Sequence, residues 1–213
     1  MFAIDLEKKV NFDCVKAALE TRGFYVYCCA SSKELCDALT ACYQSRTIGV
    51  GGSLTVLSSG AVQALEKQNV LFWHWQVPAD CSSEKKQAVL RSAAAAEVYV
   101  SSVNALAETG EIINIDGIGN RISSLAYGHE EVCLIIGRNK LCKDLQQALY
   151  RAQNIAAPKN AQRLGLQTPC AMAGNHCWNC NSPERICNGL LILQRPLGGR
   201  TYRVFLVDED LGA

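Results

Sequence analysis

Four cysteines crowd the last quarter of the chain, at Cys170, Cys177, Cys180 and Cys187, in a C-x6-C-x2-C-x6-C spacing. Thiolates at that density suit an iron–sulfur cluster or zinc. Structural zinc held by four cysteines ordinarily uses two close pairs, and only Cys177 and Cys180 make one here, so a 4Fe–4S cluster fits better than Zn. The spacing follows no standard ferredoxin run. Zinc, for which the adjacent His176 is a spare ligand, and free or redox-active thiols are the alternatives. A second group, Gly51-Gly52-Ser53-Leu54-Thr55, follows the apolar Ile48 and Val50. A strand, a glycine turn and a helix start expose backbone N–H groups along with the positive end of the helix dipole, which makes an anion pocket. Ser53 and Thr55 add hydroxyls to it. The stretch is neither G-x-G-x-x-G nor a Walker loop with its lysine, and a plain strand-to-helix turn is the other reading. A third group, from Asn104 to Arg121, sets Glu108, Asp116 and Asn120 around glycine turns. Glu108 or Asp116 can act as base or nucleophile if desolvated, and the planar fork of Arg121 can grip a carboxylate or phosphate. Read without chemistry, Asp116 and Asn120 cap turns and Arg121 pairs with a nearby acid.

The elements that must position these groups alternate. Val10, Cys14, Ala17 and Ala18 continue an apolar stripe from Leu6 at helical spacing, and Gly23 stops that helix. Phe24 to Cys29 is an apolar strand, and Ser31 with Glu34 reads as a capping box opening a helix that buries Leu35, Ala38, Leu39 and Cys42. Beyond the glycine turn, Val56, Leu57, Ala61, Ala64 and Leu65 follow helical spacing. Further strands are expected at Val70 to Gln76, Glu97 to Val103, Ile112 to Ile115, Val132 to Ile136, Leu190 to Gln194 and Arg203 to Val207. Ser83 is a candidate cap for a helix reaching about Ala96, and a helix from Asp144 to Ala157 should stop at Pro158. His74, between Trp73 and Trp75, reads as a structural group before a ligand. Helices alternating with buried strands argue for an α/β fold, a Rossmann-like, mostly parallel sheet with helices on both faces. Ligands then collect beyond the C-terminal strand ends, where both glycine loops lie.

Composition narrows the function classes. The net charge of +1 gives no electrostatic pull toward nucleic acid or anionic membrane. No apolar run reaches the length of a membrane span. The first residues, Met1 to Lys9, lack a basic region followed by an apolar core, so no signal peptide and a cytoplasmic location are expected. In that setting a disulfide framework is not expected either, and Cys14, Cys28, Cys29, Cys36, Cys42, Cys133 and Cys142, all within apolar segments, read as small buried hydrophobes.

Taken in order, the motifs resemble the lactate-utilisation (LUD-domain) family, in its short stand-alone form with a cysteine tail. The matching residues are Gly49 to Thr55; Val103-Asn104-Ala105 with Glu108-Thr109-Gly110-Glu111; Asn114 to Gly117 with Gly119-Asn120-Arg121; Gly137-Arg138-Asn139-Lys140; Arg151 with Ala157 to Leu164; and the cysteine segment from Thr168 to Asn188. The division expected is an N-terminal helical and strand region, 1–45, packed on a LUD α/β domain, 46–213, that carries a cysteine-bearing loop at 168–188. The resemblance implies a fold similar to the sugar-phosphate isomerases and CoA transferases. It implies a role in oxidising L-lactate to pyruvate among multi-subunit iron–sulfur complexes, with other lactate-oxidation subunits or further copies of the chain as partners. The ligand set it implies is Gly51, Gly52, Ser53, Thr55, Asn104, Asn120, Arg121 and Lys140 around a small anionic metabolite, a carboxylate or phosphate. Glu108-Thr109-Gly110 is similar to the S-E-N-G stretch of CoA transferases, whose glutamate is the nucleophile, with Ala107 and Thr109 replacing its serine and asparagine. Acyl transfer through Glu108, isomerisation of a sugar phosphate by Glu108 or Asp116, and a zinc-holding scaffold are the other functions these residues allow.

Overall fold

A computed structural model describes residues 10–78, 80–174 and 176–213 of the chain. The stretch from Met1 to Lys9, with Leu6 of the expected first helix, lies outside the described residues. Six strands form one wholly parallel sheet: β1 (Tyr25–Cys29), β2 (Thr47–Val50), β3 (Val70–Trp73), β4 (Val98–Ser101), β7 (Glu131–Gly137) and β10 (Thr201–Val207), in the order β1-β10-β7-β4-β2-β3. A second sheet joins β8 (Leu141–Cys142), β5 (Ala105–Ala107), β6 (Ile112–Asp116) and β9 (Gly189–Leu193), with β5 antiparallel to β6, β6 antiparallel to β9, and β5 parallel to β8. The Rossmann-like α/β fold read from the sequence is the one observed, and the mixed sheet is an addition to it.

Strand periodicity builds two cores from one sheet. Along β7, Cys133 and Ile135 face one side, while Val132, Leu134 and Ile136 face the other, as a pleat of period two requires. The first side is covered by α2 (Ser32–Cys42), α3 (Leu54–Ser58) and α4 (Ala61–Leu65), through Leu35, Leu39, Val56, Val62 and Leu65. The second packs on α1 (Phe12–Thr21), through Val15 and Leu19, and on the mixed sheet, through Leu106 and Ile112. A third cluster lies beyond the mixed sheet, where Ile113 and Ile115 meet Ala148 and Ala152. Also on the second side, α5 (Ser83–Ala94) lies directly against β2: a Cβ at Gly49 would come within 2.1 Å of the Ala93 carbonyl oxygen, so only glycine permits that approach.

Local signals hold with some corrections. Ser31 accepts from the Glu34 backbone N–H, as the capping box predicts. The cap of α5 is Ser82, not Ser83. Pro158 does not end its helix. Instead α7 (Leu145–Arg151) passes into a π-helical turn, Ala152–Ala156, and on into α8 (Ala157–Arg163), with Pro158 in the first turn of α8. A wider turn just before the proline removes the need for the N–H it lacks and for the space its ring would occupy. Cys29, Cys133 and Cys142 are buried as expected, whereas Cys14 and Cys28 are exposed, since they fall on the outward positions of α1 and of the edge strand β1. No helix among the described residues is long and apolar enough to cross a membrane.

Candidate functional site

The loops that follow β2, β3, β4 and β7 all leave the parallel sheet at its carboxyl edge, where an open α/β sheet ordinarily receives its ligand. There they surround a cavity of about 350 Å³, together with α6 (Asn120–Ala126) and the loop from β6 that precedes it. From β2 come Gly52, Ser53 and Thr55. Ser53 caps α3, its hydroxyl accepting from the Val56 N–H at 3.3 Å. From β4 come Ser102 and Asn104, and from β7 comes Lys140. The β6 loop adds Asp116, Asn120 and Arg121.

Backbone contacts hold these side chains from behind. Asn104 accepts from the Ile115 N–H at 2.8 Å and so ties the end of β4 to the mixed sheet. Asp116 accepts from the N–H groups of Gly117, Arg121 and Ile122 at 2.8, 2.7 and 3.1 Å, which makes it the carboxylate cap of α6. Arg121 donates to the Ile115 carbonyl. Arg151, on α7, donates to the carbonyls of Asn139 and Asn104 at 2.8 and 2.6 Å and braces two cavity loops at once.

Charge is the feature these contacts leave uncompensated. Lys140 is only 4% exposed and Arg151 6%. Neither pairs with an Asp or Glu side chain among the described residues; Lys140 donates to the main-chain oxygen of Ala213, the last residue described. Burial, with the cations Arg151, Arg121 and Lys159 nearby, pulls Lys140 down to about 7. Burial also lowers Arg151. The residues after β10 complete this wall: Thr55 donates to the Leu211 carbonyl, and the Asn139 side chain bonds both Leu211 N–H and Gly212 O. Gly212 has φ +67°, and a Cβ there would meet Thr55, so a side chain at this point would lift the segment from the wall.

Two of the sequence-derived residues stand apart. Glu108 sits at the far end of the β5–β6 hairpin, where it pairs with Lys143 at 2.6 Å, and it does not line the cavity. The antiparallel pairing of β5 with β6 puts Glu108 and Asp116 at opposite ends of one hairpin, so they cannot share a site. Gly51 turns away from the cavity and packs against Tyr99 and Ser101, its N–H donating to the Val100 carbonyl.

The cysteines occupy the neighbouring wall. Cys177 and Cys187 line a second cavity of about 530 Å³, which shares Ile115 with the first. The Cys177 N–H donates to the Asn154 side chain, and Arg185 donates to the carbonyls of Cys180 and Cys187. Burial pushes the Cys187 thiol up, with Arg185 opposing that shift. Cys170 belongs to α9 (Pro169–Ala173) and has the Thr168 hydroxyl as its partner at 3.4 Å. Among the described residues no three of His, Cys, Asp or Glu are gathered as a metal would need. Cys177 and Cys180 both act on the Cys187 thiol, but as arranged the thiols do not form a closed ligand set.

The sequence matches the family model described as the LUD domain over residues 13–207. The chain belongs to the LUD-domain family. A crystal structure of a DUF162 family protein from Deinococcus radiodurans is similar to it with a TM-score of 0.51 at 12% identity, covering 92% of this chain and 94% of that one. At that identity the likeness shows a shared fold. A crystal structure of eIF2B beta from Chaetomium thermophilum gives a TM-score of 0.28 at 15% identity over 62% of this chain and 43% of that one, too little to carry an argument. No curated protein matches the chain.

Several cavity residues of this LUD domain stand outside the ligand set expected from the sequence. The Ser102 hydroxyl is buried and unpartnered. His74, just past β3, reaches the cavity beside Gly52; its Nδ1 is buried without a partner, and burial lowers its pKa. Arg163 lies over the Trp75 ring, 5.2 Å from its centroid. The π-helical turn is a structural pointer to this place, since such turns cluster at functional sites, but no sequence pattern announces it.

Proposed function

We propose that this LUD-domain protein binds a small anionic metabolite, through a carboxylate or phosphate group, at the carboxyl edge of its parallel sheet, and that it serves lactate utilisation as a component of an L-lactate-oxidising system. One observation carries the binding half: Lys140 is buried beside two arginines with no Asp or Glu side chain paired to it, and its hydrogen bond goes to the Ala213 main-chain oxygen. A buried charge without a counter-ion is costly, and a bound anion is the partner that removes the cost. Ser53, Asn104, Asn120 and Arg121 supply the hydrogen bonds that orient such a group, and backbone bonds hold several of them before the ligand arrives. Family membership supports the lactate setting. Asp116 has its carboxylate engaged by three N–H groups, which favours a positioning role over proton abstraction. Glu108 lies outside the cavity, which speaks against acyl transfer through it.

Direct titration tests the reading. Calorimetry of the full chain with small carboxylates and inorganic phosphate should give saturable binding that weakens with added salt, and Lys140→Met should weaken it by ~100-fold or more. Equal binding by the wild type and the variant discards the assignment. The cysteine segment is kept as the candidate site of a 4Fe–4S cluster or zinc. Either group would need Cys170 and the other three thiols to come together. No electron step is derived through them, and iron, sulfide and zinc content of protein purified without oxygen decides the matter.

A further inference from the structure

The anion reading leaves open what kind of anion the cavity prefers, and the charges around it narrow the choice. Three cationic side chains line it, Arg121, Lys140 and Arg163, against one carboxylate side chain, Asp116. That carboxylate is already spent on three backbone N–H groups. The cations fall into two sets. Lys140 and Arg121 act on one another, with Arg151 behind them. Arg163 stands elsewhere, on α8 and over Trp75, and its only hydrogen-bond partner among the described residues is the neutral Asn160 side chain, at 3.1 and 2.8 Å. His74 and Ser102, which also line the cavity, have buried polar atoms without partners among the described residues, so polar capacity remains unused there. The volume of about 350 Å³ also exceeds what a three-carbon acid needs and falls in the range of larger ligands.

We propose that the cavity selects a ligand carrying two separate anionic groups, one taken by Lys140 and Arg121 and the other by Arg163, over a monocarboxylate such as L-lactate. This rests on the proposed anion-binding function and names the class of ligand it serves. L-lactate itself would then be handled by a partner, and the chain would bind a dicarboxylate or a phosphorylated acid.

The test is calorimetry with three probes, a dicarboxylate series from malonate to adipate, inorganic phosphate and L-lactate, on the full-length wild type and on Arg163→Gln, with thermal melts to show that the variant is folded. The best-fitting dicarboxylate should bind about tenfold or more tighter than L-lactate. Arg163→Gln should erase that preference and leave L-lactate within about twofold of its wild-type affinity. Inorganic phosphate, with both charges on one group, should be indifferent to Arg163. Equal affinity for L-lactate and every dicarboxylate, or a loss of phosphate binding in Arg163→Gln as large as that of the dicarboxylate, overturns the two-point arrangement while leaving the anion pocket standing. Failure of all three probes on folded wild type overturns the anion pocket and this inference with it.

Discussion

The cavity and the cysteine segment share a wall at Ile115, yet they are built on opposite plans. Around the cavity, the polar groups sit at strand ends and helix starts. Asn104, Asp116 and Arg121 are each fixed by a backbone hydrogen bond, and Lys140 is enclosed. Around the cysteines, the thiols lie on turns and one short helix, held by Arg185, Asn154 and Thr168, while Met172 and Trp178 face outward. The first region is held in place by its own backbone bonds without any ligand. The second would have to close around any metal it took. Preorganisation lowers the cost of binding a weakly held small molecule, whereas strong thiolate–metal bonds can supply the energy of their own assembly.

The largest effect that would sharpen this contrast is at Lys140. Lys140→Met should weaken anion binding by ~100-fold or more, since a desolvated charge pair is lost. The same variant should melt higher than wild type without ligand. In the fold Lys140 gives up its proton near pH 7, and in the unfolded chain near 10.4. The unfolded chain therefore holds the extra proton between those values, and stability rises with pH across that window. Below it the full cost of the buried charge applies, on the order of 4 kcal/mol, and Lys140→Met removes it. A melt that falls in the variant would mean that the ammonium has a stabilising partner after all.

Next in size is the pH dependence of binding. Above about pH 7 the empty site loses the Lys140 proton, so anion affinity should drop about tenfold per pH unit. Binding at pH 8 should draw protons from the buffer, which calorimetry in buffers of different ionisation enthalpy reads out. A flat profile from pH 6 to 9 would detach Lys140 from the ligand. Asp116→Ala should cost about 1–2 kcal/mol in denaturant unfolding by removing the cap of α6. Glu108→Ala, outside the cavity, should leave anion affinity within about twofold and stability within ~1 kcal/mol, the value of a partly exposed ion pair. Cys180→Ser is expected to have the smallest effect, under ~0.5 kcal/mol and no change in anion affinity. If it instead weakens anion binding tenfold, the two regions are coupled and the contrast fails.

Local chemistry was legible residue by residue. The Ser31 and Glu34 cap, the alternation along β7 and the turn after β2 each follow from neighbours a few positions apart. The same short range explains the errors. Glu108 and Asp116 looked like one constellation because they are eight positions apart in sequence, but a hairpin separates its ends by the length of its strands. Pro158 looked like a stop because the rule assumes an α-helical turn before it. The position of His74 was not legible from Trp73 and Trp75, because the residue it meets at the cavity is Gly52, in the loop after β2.

By itself the sequence determined the alternation of helices and strands, the parallel sheet, the family, and the stretches at the sheet's carboxyl edge, since periodicity and caps act within a few residues. Only the tertiary structure decided which of those stretches meet. It set Arg151 behind Lys140, brought Leu211 to Ala213 against Thr55 and Lys140, and placed the cysteines in turns beside the cavity. Strand order and burial fix such meetings. Both arise from the packing of the whole chain, as does the burial of Lys140, which the sequence placed in a motif but not in an interior.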